Sequence, residues 1–196
     1  QQKGRPYCAI RSHLFFRGLA GLFACTNTEC NARTGAGSGI LGRLHANEQL
    51  RCACGSRVYE LMTHRSCGAA YIRGYMQGQA GDFLWHKASN GIWSDERLVE
   101  AQFYVIPATD VDEITANIVW LHTRTGRLVP KKPSGAPAGA YLPLLYPEKL
   151  VKDRGRHVLS DNCPACRQPA RKEAPIAMDL ATKGEAPFAH IVRSQV

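Results

Sequence analysis

Apolar side chains fall in short runs rich in β-branched and aromatic residues, separated by turn-forming stretches, which is the pattern of strands rather than helices. An apolar segment starting at His13-Leu14-Phe15-Phe16-Arg17 continues through Leu22-Phe23-Ala24 and predicts one strand. Val58-Tyr59-Glu60-Leu61 alternates towards His64, and Ala70 to Tyr75 follows as a second strand. Further strands are expected over Ala101 to Ile106 and Asn117 to His122, with Thr125-Gly126 turning the latter back into Arg127-Leu128-Val129. His157 to Asp161 reads as a short strand running into a turn. Asn31 to Gly42 and Lys131 to Gly139 read as loops. Only the end breaks the pattern: Phe188, Ile191, Val192 and Val196 recur at helical spacing behind Pro187, as if a helix were cut off partway. With a first residue of Gln1, this is expected to be a piece of a larger protein. The expected fold class is mainly β with few helices.

What organises so glycine-rich a chain is the placement of its cysteines. Seven of the eight, with one histidine, form four pairs: Cys25 and Cys30, Cys52 and Cys54, His64 and Cys67, Cys163 and Cys166. Tetrahedral zinc takes four thiolate or imidazole ligands, usually as two such pairs, so four pairs suffice for two closed sites. Gly55 after Cys54 and Gly68 after Cys67 permit the tight turns that such knuckles need. Order along the chain assigns Cys25, Cys30, Cys52 and Cys54 to site one. His64 and Cys67 are left to join Cys163 and Cys166 in site two, closing a long loop.

Other uses of the cysteines fit less well. Adjacent Cys-x-Cys and Cys-x2-Cys pairs suit one ion better than four remote disulfides. Cys163-Pro164-Ala165-Cys166 resembles a thioredoxin-type dithiol, but that chemistry needs a buried strand before it and a helix after it, and Pro169 follows closely. Cys8 and His13 lack a second half-site.

These pairs divide the chain into a first zinc-ribbon-like module over residues 1–62 and a second over 63–170. The second is interrupted by a β-rich insertion at about 76–156, and a linker with a C-terminal helix follows over 171–196. A composition of 44% hydrophobic residues is ordinary for a globular protein, and small subdomains with modest cores commonly need a metal staple. No apolar run approaches the ~20 residues of a membrane span, and reduced thiols point to the cytoplasm.

The formal charge is +9, which seven thiolates and two zinc ions would bring to about +6. Lys and Arg concentrate at Lys3, Arg5, Arg11 and Arg17, and again at Lys149, Lys152, Arg154, Arg156, Arg167, Arg171 and Lys172. Such a footprint suits phosphate backbones, though it equally suits a solvated face. Phe15, Tyr71 and Trp93 are candidates for stacking on bases or for the core.

Enzyme patterns are incomplete. Gly37-Ser38-Gly39-Ile40-Leu41-Gly42 has GxGxxG spacing without a preceding buried strand, and Arg43 and Leu44 stand where a P-loop needs Lys and Ser or Thr. HExxH is missing, and the His-x-Glu of zinc deaminases is too. Four protein ligands per site leave no position for water, so the metals are expected to be structural.

The runs His13 to Cys25, Cys52 to Leu61 and the Cys67-Gly68 knuckle resemble the cysteine-rich region of large bacterial DEAD/DEAH-type superfamily 2 helicases, nearest to those of phage-defence systems of the DISARM and Druantia kind. Thr182 to Phe188 is similar to the segment that leads such a region back into the helicase. The resemblance covers residues 13 to 75 and 157 to 196. It implies zinc ligands at Cys25, Cys30, Cys52, Cys54, Cys67, Cys163 and Cys166, with His64 replacing an expected cysteine. The ATP-hydrolysing motifs do not appear, so only an accessory role carries over.

The resulting expectation is a non-enzymatic, two-zinc accessory domain of a DNA helicase or related protein. It would bind nucleic acid without sequence preference through Arg17, Arg51, Arg57, Arg65, Arg154, Arg156 and Arg167. The alternatives are a docking module that makes no nucleic-acid contact, and a redox enzyme using Cys163 and Cys166.

Overall fold

A computed structural model describes residues 21–33, 39–77, 81–88, 98–114, 117–147, 149–151, 156–158, 162–169 and 176–179. The described residues form eleven strands and no helix. In chain order they are β1 (Leu22–Cys25), β2 (Leu44–His45), β3 (Val58–His64), β4 (Ala70–Gln77), β5 (Leu98–Val105) and β6 (Ile118–His122). β7 (Leu128–Val129), β8 (Tyr141–Leu145), β9 (Lys149–Val151), β10 (Arg156–Val158) and β11 (Ala177–Asp179) follow. The expected C-terminal helix, Phe15 and Trp93 lie outside the described residues.

All eleven strands join one sheet with the main order β2-β1-β3-β4-β5-β8-β6-β7. β11 extends the β1 edge of β3, while β10 pairs parallel with β5 and antiparallel with β9. β3 runs unbroken across residues 62 and 63, from Val58 opposite Cys25 to His64 itself.

Strand alternation explains the two faces. Tyr59 and Leu61 of β3, Ile72 and Met76 of β4, Phe103 and Val105 of β5, and Leu142 and Leu144 of β8 bury their side chains in one core. The opposite face of β4 presents Arg73, which bonds Glu60 at 2.9 Å and Glu100 at 3.2 Å across its neighbours. Further along that face, Met62, Tyr71, Tyr104 and Ile106 pack with Cys163, Ile176 and Ala177. Tyr71 is therefore core, only 1% exposed, and not a surface stacking residue.

One expected turn and one expected loop lie beside the site-one neighbourhood. Gly126, with φ of +82°, closes the turn between β6 and β7 and donates to the His122 carbonyl at 2.8 Å. The Lys131–Gly139 loop is followed by β8, and Thr123 at the end of β6 bonds the Gly139 and Ala140 carbonyls at 3.0 and 3.2 Å.

Candidate metal centres

Site one is built from two turns brought together by β1. Cys25 ends β1, and its backbone is clamped by Gly42 N–H donating to Cys25 O at 2.8 Å and Cys25 N–H donating to Arg43 O at 2.9 Å. A Cβ on Gly42 would meet the Asn27 carbonyl and the Cβ atoms of Cys30 and Cys25, so only glycine lets the strand pass this close. The second turn has Gly55 N–H donating to Cys52 O and Cys52 N–H donating to Ser56 O, both at 2.8 Å. Gly55 takes a φ of +84° there.

Those turns place the sulfurs of Cys25, Cys30, Cys52 and Cys54 within 4.8 Å of one another. Cys25 Sγ lies 3.5 Å from Cys54 Sγ, and Cys30 Sγ lies 3.6 Å from Cys52 Sγ. Four sulfurs bonded tetrahedrally at about 2.3 Å to one ion would sit ~3.8 Å apart, so the donor set fits such an ion. Asn27 Nδ2 points at Cys54 Sγ from 3.9 Å.

Site two joins β3 and β4 to a distant turn. His64 N–H donates to Ala69 O at 2.9 Å and Gly68 N–H to His64 O at 2.8 Å; Cys163 N–H donates to Gln168 O at 2.9 Å and Arg167 N–H to Cys163 O at 2.8 Å. The two turns are therefore copies of one another, with Gly68 (φ +74°) and Arg167 (φ +61°) at the matching left-handed position. His64 Nδ1 lies 3.1 Å from Cys67 Sγ and 3.6 Å from Cys166 Sγ, while Cys67 Sγ lies 3.8 Å from Cys163 Sγ. All four donors fall within 4.8 Å.

The grouping matches the pairing read from the sequence at both centres. The seven described cysteines are all unbridged. Cys163 and Cys166 lie in a turn closed by an Asn162–Pro169 bridge, beside His64 and Cys67.

So many sulfurs in one place cannot all ionise unaided. Burial pushes the Cys25 and Cys52 thiols up, and that of Cys67 up to about 11. At Cys54 burial raises the pKa, but hydrogen bonds from Ser56 and from the neighbouring thiols outweigh it and bring the group to about 6. Cys163 is likewise lowered: burial is overcome by hydrogen bonds led by the Tyr71 hydroxyl. Within each centre burial and hydrogen bonding thus pull neighbouring thiols in opposite directions.

Four of the sequence-derived basic residues lie in or beside these turns. Arg51, Arg65 and Arg167 are exposed and Arg57 is half-buried. Arg51 Nη1 donates to Gly55 O at 2.8 Å and to Arg124 O at 2.9 Å, tying the second site-one turn to the β6–β7 turn. Arg17 and Arg154 lie outside the described residues, and of Arg156 only the backbone, in β10, is described. A feature not foreseen is a cavity of about 590 Å³ between site one and the 133–140 loop, lined by residues that include Asn27, Ser56, His122 and Tyr141. No helix among the described residues is long and apolar enough to cross a membrane.

The chain is 39% identical over 206 residues to Druantia protein DruE of Escherichia coli (strain UMEA 4076-1), an alignment covering 98% of this chain. The chain spans only 11% of that relative's length. No solved structure matches. Residues 44–181, which include six of the eight clustered donors, match the YjiV N-terminal domain; the chain belongs to that family.

Proposed function

We propose that this domain is a structural two-zinc accessory module of a larger, helicase-type protein of a Druantia-like phage-defence system. In that role it adds nucleic-acid contacts that do not depend on sequence. The observation that carries the reading is the pair of closed four-donor centres, one of four cysteines and one of three cysteines and a histidine. Zinc is the ion that best suits tetrahedral sulfur and imidazole donors, and four protein ligands leave no position for a reacting water. The domain then performs no turnover of its own.

Support for a larger parent comes from the relative of which this chain spans 11%. Support for nucleic-acid contact comes from the net charge of +9 and from the arginines at the turns, of which Arg51, Arg65 and Arg167 are exposed. DNA is the preferred partner, and the remainder of the polypeptide is the other.

Metal analysis of the purified, reduced chain tests the first half: two zinc ions per chain are expected, and fewer than two or a coloured iron centre overturns it. DNA affinity measured from low to moderate salt tests the second. Affinity should fall steeply as salt rises, because bound Lys and Arg release counterions. A chain that ignores DNA even at low salt is a docking module instead.

A further inference from the structure

Phe83 and Trp85 are the exposed aromatic side chains among the described residues, at 43% and 44%. Their exposure is built in. Leu84 between them is 1% exposed and packs onto Gly74 of β4, where a Cβ would collide with all three of its outer carbons. Its backbone is fixed on both sides: Leu84 N–H donates to Gly126 O at 2.8 Å, and Leu84 O accepts from the Tyr59 hydroxyl at 2.7 Å. Trp85 pairs with Tyr75 and Phe83 with Arg127. Strand alternation then forces both rings outward on one side, their centroids 6.4 Å apart.

The surroundings are cationic. The Arg57 guanidinium carbon lies 6.0 Å from the Trp85 ring centre, and Arg57 Nε is buried without a hydrogen-bond partner. Exposed Arg127 is the backbone partner of Phe83, and exposed Arg51 is bonded to the backbone of exposed Arg124 one turn away. Among the described residues the nearby carboxylates are exposed Asp82, exposed Glu48 at 3.5 Å from Lys87, and Glu100, which pairs with Tyr75 and is neutralised by Arg73 at 3.2 Å.

We infer that the Phe83–Trp85 edge is a stacking platform for the bases of a single-stranded nucleic acid, with Arg51, Arg57, Arg124 and Arg127 framing it for the phosphates. Outward aromatic faces serve unpaired bases, because a duplex keeps its base faces covered. The surrounding positive charge favours a polyanion over an apolar protein surface. The inference rests on the proposed nucleic-acid role and names its substrate class.

The test uses the metal-loaded chain with labelled oligothymidine, an abasic strand of equal length and a duplex. Trp85→Leu keeps an apolar side chain but removes the ring face, and Trp85→Phe keeps a ring. Metal content and melting temperature, measured for each variant, control for folding. The parent should prefer oligothymidine to the abasic strand. Trp85→Leu should weaken oligothymidine binding about fivefold or more, with duplex binding nearly unchanged and Trp85→Phe close to the parent. If Trp85→Leu and Phe83→Leu bind oligothymidine as tightly as the parent, or the parent does not distinguish it from the abasic strand, the platform is wrong while the charge-based role stands. If the parent binds none of the three, both fall and the edge belongs to a protein partner.

Discussion

The hydroxyl of Tyr71 lies 3.5 Å from Cys163 Sγ, donating a hydrogen bond from the buried face of β4 to a sulfur that comes from the far end of the chain. Groups one shell outside a metal orient its ligands and set their basicity. Tyr71→Phe removes the hydroxyl and keeps the ring that packs on Tyr104 at 5.4 Å. Chelator competition should show site two losing its ion about tenfold more readily, while site one is unaffected.

The matched turns at site two allow a stabilising change. Arg167 holds the left-handed conformation that Gly68 holds in the twin turn, and a side chain there costs ~1–2 kcal/mol that glycine avoids. Part of the gain is offset by the greater freedom of glycine in the unfolded chain. Arg167→Gly should raise the stability of the loaded chain by up to ~1 kcal/mol in thermal unfolding, and Gly68→Ala should lower it by a similar amount.

Removing the ions reverses how the protein responds to alkali. The Cys67 thiol, raised by burial from the ordinary value near 9 to about 11, favours the protonated form in the metal-free fold. Its stabilising effect is complete below pH 9 and is lost as pH rises towards 11. The metal-free chain should therefore weaken over that window. Loaded chain behaves oppositely on the acid side, because protons compete with the ion, so metal affinity should climb from pH 6 to 8 with protons released on binding. Calorimetry in buffers of different ionisation enthalpy measures that release, and a flat affinity across the range would contradict a thiolate donor set.

Thr26 connects site one to the end of β6. Its hydroxyl is buried and lies 3.0 Å from Arg57 O and 3.3 Å from Thr123 O. Thr26→Val keeps the shape and removes that donor, while Arg57 O still accepts from Thr26 N–H at 3.1 Å and Thr123 O from Arg57 N–H, so the loss should cost ~0.5–1.5 kcal/mol in denaturant unfolding. Amide exchange at Arg57, whose N–H donates to Thr123 O at 2.7 Å, should quicken with it.

The two donor clusters were legible because ligand spacing is local chemistry: Cys-x-Cys, Cys-x2-Cys and His-x2-Cys declare a turn and its donors together. β3, β4, β6 and β7 were legible from alternation and from the Thr125-Gly126 turn. β8 was not, since Tyr141-Leu142-Pro143-Leu144-Leu145 carries a proline, which reads as a break; here Pro143 lies opposite Trp120 and its carbonyl accepts from Ile106. β2 and β11 are two and three residues long and exist through pairing with β1 and β3, a long-range cause invisible in either segment. Tyr71 was open between core and surface because alternation assigns a face without saying what covers it. The Phe83–Trp85 edge was missed for the same reason, its exposure depending on Gly74 and Gly126 far away in sequence.

β3 begins opposite Cys25 and ends in His64, so its length, at ~3.3 Å per residue, separates the two centres by about 20 Å. That is more than twice the distance over which charges feel each other at physiological salt. Two ions so spaced would be electrically deaf to one another, and a paramagnetic substitute placed at one end would serve as a fixed ruler for everything docked along the sheet.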